Sequence, residues 1–251
     1  MRQDVIFLES STAPVLSARQ VNKNFSGKTI LDAIHLEINP AEIFGLLGPS
    51  GSGKTTLVKL LAGIDVPTSG EIRLLGTLLP KRAMLQQIGY MAQADALYQE
   101  LTARENMEFF AALYGLKGKR CLDRITETAE LVGLSEHLSK KIWQYSGGMK
   151  RRLSLAIALL HEPPVLLLDE PTVGIDPMLR RSIWAELRTL AQQGTTVVLT
   201  THVMDEADKC NRLAMIRDGR ILAEGSPAAL LKQTGSEQIE DAFIKLGGGN
   251  L

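Results

Sequence analysis

Residues Gly48-Pro49-Ser50-Gly51-Ser52-Gly53-Lys54-Thr55 carry the spacing G-x-x-x-x-G-K-[ST], which suits one chemistry, the cradling of a polyphosphate. A triphosphate concentrates negative charge and needs many donors close to bare backbone. Gly48, Gly51 and Gly53 lack Cβ atoms and can turn their N–H groups inward. Lys54 has the reach to touch the β- and γ-phosphates, and the Thr55 hydroxyl can ligate Mg²⁺. The bland alternative is a glycine-rich turn that binds nothing, and the flanks argue against it. The apolar run Ile43-Phe44-Gly45-Leu46-Leu47 precedes the glycines, and Thr56-Leu57-Val58-Lys59-Leu60-Leu61-Ala62 follows them. That order reads as buried strand, turn and amphipathic helix, with the positive helix end aimed at the phosphates. These residues predict a nucleoside triphosphate site.

Three further stretches could act on that ligand. Leu166-Leu167-Leu168-Asp169-Glu170 puts two carboxylates at the carboxyl end of an apolar strand, the edge where α/β sheets bind ligands. Asp169 fits a Mg²⁺ partner through water, and Glu170 fits the base for an attacking water. Tyr145-Ser146-Gly147-Gly148-Met149 opens a helix carrying Leu153, Ala156, Ile157 and Leu160 at core spacing. Ser146 and two glycines there form either a second anion nest or a simple N-cap. Phe25, isolated among polar residues, either stacks on an adenine ring or covers a sheet edge.

The elements that must position these groups come in two kinds. Residues 15–38 read as short strands at 15–18, 29–31 and 34–38, followed by the strand before the glycines. A strand at 71–75 and another closing at Gln93 come next. Strand signals then vanish from 94 to 145. The capping box Thr102-Ala103-Arg104-Glu105 opens one helix, and a second runs over about 122–132. The apolar runs 165–168 and 195–200 read as parallel strands joined by a helix over 178–190. Asp218-Gly219 marks a hairpin, and Ser226-Pro227 a helix start. The fold class is α/β: a P-loop NTPase-type parallel sheet core, an N-terminal antiparallel β subdomain and an inserted α-helical subdomain. One domain is expected over 1–251. Its core is 1–93 and 146–235, its helical insert 94–145, and its C-terminal helix and flexible tail 236–251.

Composition excludes several classes. Hydrophobic residues make up 45% of 251, which is incompatible with a disordered chain. Lys+Arg and Asp+Glu both total 28, so charge predicts no nucleic-acid partner. Cys121 and Cys210 stand alone, without a disulfide framework or a zinc pattern. No apolar stretch reaches the roughly 20 residues a membrane span needs, and Val5-Ile6-Phe7-Leu8 is too short for a signal-peptide core. A cytoplasmic protein is expected.

Taken together, these motifs resemble the ATP-binding cassette ATPases, the motor subunits of ABC transporters, over about residues 15–243. Residues 48–55 match Walker A, 166–170 Walker B and 146–148 the centre of the signature. Gln93 matches the Q-loop, Gly174-Ile175-Asp176 the D-loop, His202 the switch histidine and Phe25 the adenine-stacking aromatic. The resemblance implies ATP and Mg²⁺ as ligands, with Glu170, His202, Lys54 and Gln93 catalytic. Thr55, Gln93 and Asp169 would hold the metal. Nucleotide contacts would come from Phe25, Gly48, Pro49, Ser50, Gly51, Ser52, Gly53, Lys54, Thr55 and Thr56, and from Tyr145, Ser146, Gly147, Gly148, Met149 and Asp176 across a head-to-tail pair. The implied partners are a second cassette, as homo- or heterodimer, and an integral membrane permease that holds the chain on the inner face of the membrane. Tyr145 and Met149 stand where the family usually has Leu and Gln. That variant resembles the drug-resistance exporter group and favours export. Ala41 and Ile175 also depart from the usual Gly and Leu, away from the chemistry. The runner-up is a soluble cassette ATPase acting on ribosomes or DNA. A single cassette without coiled coils or zinc modules counts against it.

Overall fold

The computed structural model describes residues 13–248. Residues 1–14 read in the sequence as a weakly specified lead-in; the first twelve of these and the last three residues of the expected tail lie outside the described residues. Two sheets organise the chain. The first is antiparallel, in the order β2-β1-β4-β5, from β1 (Leu16–Phe25), β2 (Lys28–Ile38), β4 (Ser69–Leu74) and β5 (Thr77–Leu78). The second has six strands in the order β10-β9-β3-β8-β7-β6. Its members are β3 (Ile43–Leu47), β6 (Ile88–Met91), β7 (Val165–Asp169), β8 (Thr196–Thr201), β9 (Arg212–Arg217) and β10 (Arg220–Gly225). Five of them run parallel, and β10 turns back antiparallel through Asp218-Gly219.

The central strands are buried on both faces, which is why β3 and β7 read as unbroken apolar runs. Each fully buried Leu in them contributes about 1.5–3 kcal/mol of transfer free energy. Helix α5 (Pro177–Gln192) crosses over from β7 to β8 on this sheet, and α1 (Lys54–Leu61) leads from β3 to β4 of the first sheet. Helices α2 (Ala103–Leu113), α3 (Gly118–Leu131) and α4 (Gly147–Leu159) lie beyond β6. Thr102 and Glu105 close the reciprocal capping box at the start of α2. Short α6 (Met204–Ala207), then α7 (Pro227–Thr234) and α8 (Ile239–Leu246) complete the fold. The helical block does not have a core of its own: Met107, Ile125 and Ala129 join Leu47, Leu168 and Leu199 in one buried cluster.

The β1–β2 region differs from expectation. Three short strands were expected, whereas two long ones form a continuous hairpin. Ala33, at φ +48, bulges out of β2, its N–H held by Asn22 Oδ1 at 2.8 Å, so the polar break at 32–33 does not end the strand. The polar run 22–24 stays in β1 because its side chains find partners. Lys23 Nζ, for instance, donates to Asp65 at 2.7 Å and to the Val66 carbonyl at 2.8 Å. The strand expected to close at Gln93 ends at Met91. Gly247, expected in a flexible tail, accepts a hydrogen bond from Arg217 Nη1 at 3.0 Å.

The end of α4 carries a titratable group. His161 stacks on Tyr114, ring centroids 3.6 Å apart, and burial pulls its pKa down to about 4. Above pH 6.5 the ring is neutral folded and unfolded. Between 6.5 and 4 the unfolded chain takes up a proton that the folded chain refuses, so this group withdraws stability as pH falls. The urea midpoint is expected to drop less from pH 7 to pH 5 in His161→Phe, which keeps the stack and cannot titrate. Equal drops in both proteins would refute the assignment.

Candidate functional site: a nucleotide-binding edge

The ends of β3, β7 and β8 meet on one sheet edge, where Leu47 pairs with Thr201 and Asp169 with Thr200. From β3 the chain enters the glycine loop 48–53 and then α1. Gly51 and Gly53 take φ +80 and +104, values an L side chain resists. A Cβ on Gly48 would sit 2.1 Å from the Ile216 carbonyl, and one on Gly53 would sit 2.7 Å from Leu31 Cδ2. The loop is backed on both sides. Gly219 N–H donates to the Ser52 carbonyl at 3.1 Å, and the Gly219 carbonyl accepts from Asp32 N–H at 2.9 Å.

Inside that loop Lys54 is only 5% exposed. Its ammonium donates to the Gly48 and Pro49 carbonyls at 2.7 and 2.9 Å. Burial lowers its pKa, and the charges of Glu170 and Asp169 oppose that shift. Thr55 and Thr56 occupy the first turn of α1, partly exposed, and Pro49, Ser50 and Gly51 face solvent at the loop mouth.

Asp169 is fully buried and accepts from the Thr200 hydroxyl at 2.5 Å through Oδ1. Its Oδ2 and the Ser52 Oγ are buried without a partner. An orphaned carboxylate oxygen beside a phosphate cradle suits a hydrated hard cation, so the residues present fit Mg²⁺ and a triphosphate. Glu170 follows at φ +53, a left-handed conformation costing on the order of 1–3 kcal/mol for a non-glycine residue. Thr200 Oγ1 accepts from Glu170 N–H at 2.9 Å, and Glu170 Oε1 lies 3.0 Å from His202 Nδ1. A carboxylate at the strand edge, mostly buried and paired with an exposed imidazole, can accept a proton from water.

The remaining residues take other places. Ser146 N-caps α4, its Oγ accepting from Met149 N–H at 3.2 Å, while Gly147 is open to solvent. Met149 packs against the main core. Tyr145 is buried, its hydroxyl donating to the His137 carbonyl at 2.8 Å. Burial raises that phenol to about 12. Asp176 N-caps α5 through Leu179 N–H at 3.1 Å, and a Cβ on Gly148 would touch the neighbouring Gly174 carbonyl at 2.9 Å. Gln93 is exposed beyond β6. Phe25 ends β1 instead of standing on a loop, 49% exposed, with Lys23 Nζ 4.6 Å from its ring centroid.

Three residues at the site gave no such signal. Thr200 joins Asp169 to Glu170. Glu206, buried, accepts from Thr172 and from Thr201 at 2.8 Å, tying the segment after β7 to the one carrying His202. Arg151, buried, reaches the carbonyls of Gln93 and Glu170. The threonine doublet ending an apolar strand could have pointed to the first. Nothing local marks the other two.

A glycine loop, a buried lysine and an acidic pair on the carboxyl edge of a parallel sheet define a P-loop nucleotide-binding protein. A profile of the ABC transporter family matches residues 31–173. The chain is 42% identical to the Nod factor export ATP-binding protein I of Paraburkholderia xenovorans, over 88% of this chain and 74% of that protein. It is 39% identical to the "Probable multidrug ABC transporter ATP-binding protein YbhF" of Escherichia coli K12, over 92% of this chain. It spans 41% of the length of that relative. A solved ATP-binding subunit of an ABC transporter superposes with TM-score 0.86 at 25% identity, covering 93% of this chain and 99% of that one. The cassette MJ0796, solved as a post-hydrolysis dimer with ADP and Pi, gives 0.78 at 28% identity over 84% and 98%. The chain belongs to the ABC transporter family, as an ATP-binding cassette.

Proposed function

We propose that this chain hydrolyses ATP to drive export through a separate membrane subunit. The observation that carries this reading is the gathering of Lys54, Asp169, Glu170 and His202 on one strand edge, with the Glu170–His202 contact at 3.0 Å. The glycine loop and Lys54 bind and orient the triphosphate. Thr55, Asp169 and Gln93 would hold Mg²⁺, which neutralises charge on the β- and γ-phosphates when bound. Glu170 takes a proton from the attacking water as the bond to the γ-phosphorus forms and the bridging P–O bond to ADP breaks, and His202 steadies the carboxylate. The N-terminus of α4, with Ser146 and two glycines, caps the γ-phosphate held by a second cassette, as in the head-to-tail pairing implied by the family resemblance.

Among the described residues no helix is long and apolar enough to cross a membrane. A groove of about 820 Å³ runs between β6 and the helical block, floored by Ala92, Leu97, Phe110 and Leu113. An apolar groove beside Gln93 suits a helix of the membrane subunit, so that cassette closure moves it. Export is supported by the relative described as a Nod factor export ATP-binding protein, and a multidrug transporter relative is consistent with it. Expressed with a multi-span permease that binds it, the chain is expected in the membrane fraction. Expressed alone, it is expected in the supernatant. Firm membrane retention without that partner would overturn the docking reading.

A further inference from the structure

Arg151 lies in the second turn of α4 and is 7% exposed. Its five hydrogen bonds all go to backbone carbonyls. Nη1 donates to Ala92 at 2.7 Å and Gln93 at 2.8 Å; Nε and Nη2 donate to Glu170 at 3.2 and 2.8 Å; Nη2 also donates to Asp169. The nearest carboxylate, Asp95, is 3.9 Å away and accepts from the Ser154 hydroxyl at 2.8 Å. A planar fork of five donors can serve four carbonyls at once, whereas an ammonium offers three donors from one point.

The four carbonyls belong to two separate segments, the exit of β6 and the end of β7. Glu170 is therefore pinned at both ends of its strained residue, its N–H by Thr200 and its carbonyl by Arg151. The same helix begins at Ser146, five residues or about 7.5 Å of rigid helix away.

We propose that Arg151 is a positioning residue that couples the two ATP sites of a closed pair, an inference that rests on the function proposed above. In that pair the start of α4 acts on the partner's nucleotide, while Gln93 and Glu170 act on the chain's own. When a partner's γ-phosphate seats against Ser146, α4 is fixed, and the guanidinium carries that fixation into the backbones of Gln93 and Glu170. Seating of the opposite site is thereby passed to the backbone that holds the catalytic carboxylate, which the isolated chain already keeps against Arg151 and Thr200.

The test uses the full chain with Arg151→Lys and Arg151→Ala, at a temperature where circular dichroism shows both folded. Arg151→Lys is expected to lower kcat by about 10²-fold, the usual cost of a small misplacement, with KM for ATP changed less than about threefold. Hydrogen exchange supplies the readout that a merely structural clip would not move. In the parent, ATP is expected to protect 92–95, 146–150 and 169–173 together. In Arg151→Lys, protection at 146–150 persists while the other two segments stay open. Methylguanidinium at millimolar concentration is expected to restore turnover in Arg151→Ala, and ammonium is not. An unchanged kcat, or all three segments still protected together in Arg151→Lys, overturns the proposal. A parent whose residues 48–55 gain no protection from ATP overturns the functional reading instead. In that event exchange without nucleotide still tests the tie, because Arg151→Lys must loosen 92–95 and 169–173 as one unit.

Discussion

Glu170→Gln is expected to cut ATP hydrolysis by about 10²–10⁴-fold, the usual worth of a positioned base, while ATP binding persists. The amide keeps the shape of the carboxylate and can still meet His202, but it cannot take a proton from water. Lys54, Asp169 and the glycine loop are untouched by the change, so the triphosphate stays held. With binding intact and turnover stopped, ATP-bound pairs accumulate. Light scattering after size exclusion should show a monomer becoming a dimer only with ATP, and Ser146→Arg, which blocks the α4 start, should abolish the shift. A Glu170→Gln protein that turns over ATP at the parental rate would remove Glu170 from its role. One that remains monomeric in saturating ATP would remove the head-to-tail pairing.

Lys54→Ala is expected to weaken nucleotide binding by about 10²-fold or more. Two charge-assisted hydrogen bonds to phosphates, at about 1.5–3 kcal/mol each, account for that loss. The fold should survive, because in the chain itself the ammonium contacts only the Gly48 and Pro49 carbonyls of its own loop. Calorimetric titration with a non-hydrolysable ATP analogue, paired with urea unfolding, separates the two effects. Parental affinity would sink the P-loop assignment, and a collapsed unfolding transition would make Lys54 a structural residue first.

What was legible in the sequence is what local chemistry dictates. The Thr102–Glu105 box, the Ser226-Pro227 helix start and the Asp218-Gly219 turn each satisfy their own backbone within a few residues, and the glycine loop is marked by its residue types and spacing alone. The acidic pair was legible only in company: carboxylates after a strand are common surface decoration, and it is the phosphate-binding loop in the same chain that gives these two a use. The β1–β2 hairpin was misjudged where long-range partners override local polarity: Lys23 is kept in its strand by Asp65 and Val66, more than 40 positions away. The tie of the Tyr145 hydroxyl to the His137 carbonyl likewise has no local mark in the sequence. Arg151 was illegible for the same reason. In the sequence it is one of three consecutive basic residues, and only the fold gathers four carbonyls around one of them.

The seam behind the glycine loop bears on how the protein registers its own integrity. Gly219 bonds Ser52 on one side and Asp32 on the other, so segments near positions 32, 52 and 219 must all be in place before the loop takes shape. A partly folded or truncated chain has no such pocket to offer. A nucleotide that needs this loop favours the native state over the unfolded one, and stabilises it by an amount set by its concentration relative to Kd. At a hundredfold excess over Kd that addition is about 2.7 kcal/mol, a large fraction of the margin by which domains stay folded. At such an excess ATP is expected to raise the urea midpoint of this chain and slow its proteolysis, and removing the nucleotide is expected to undo both.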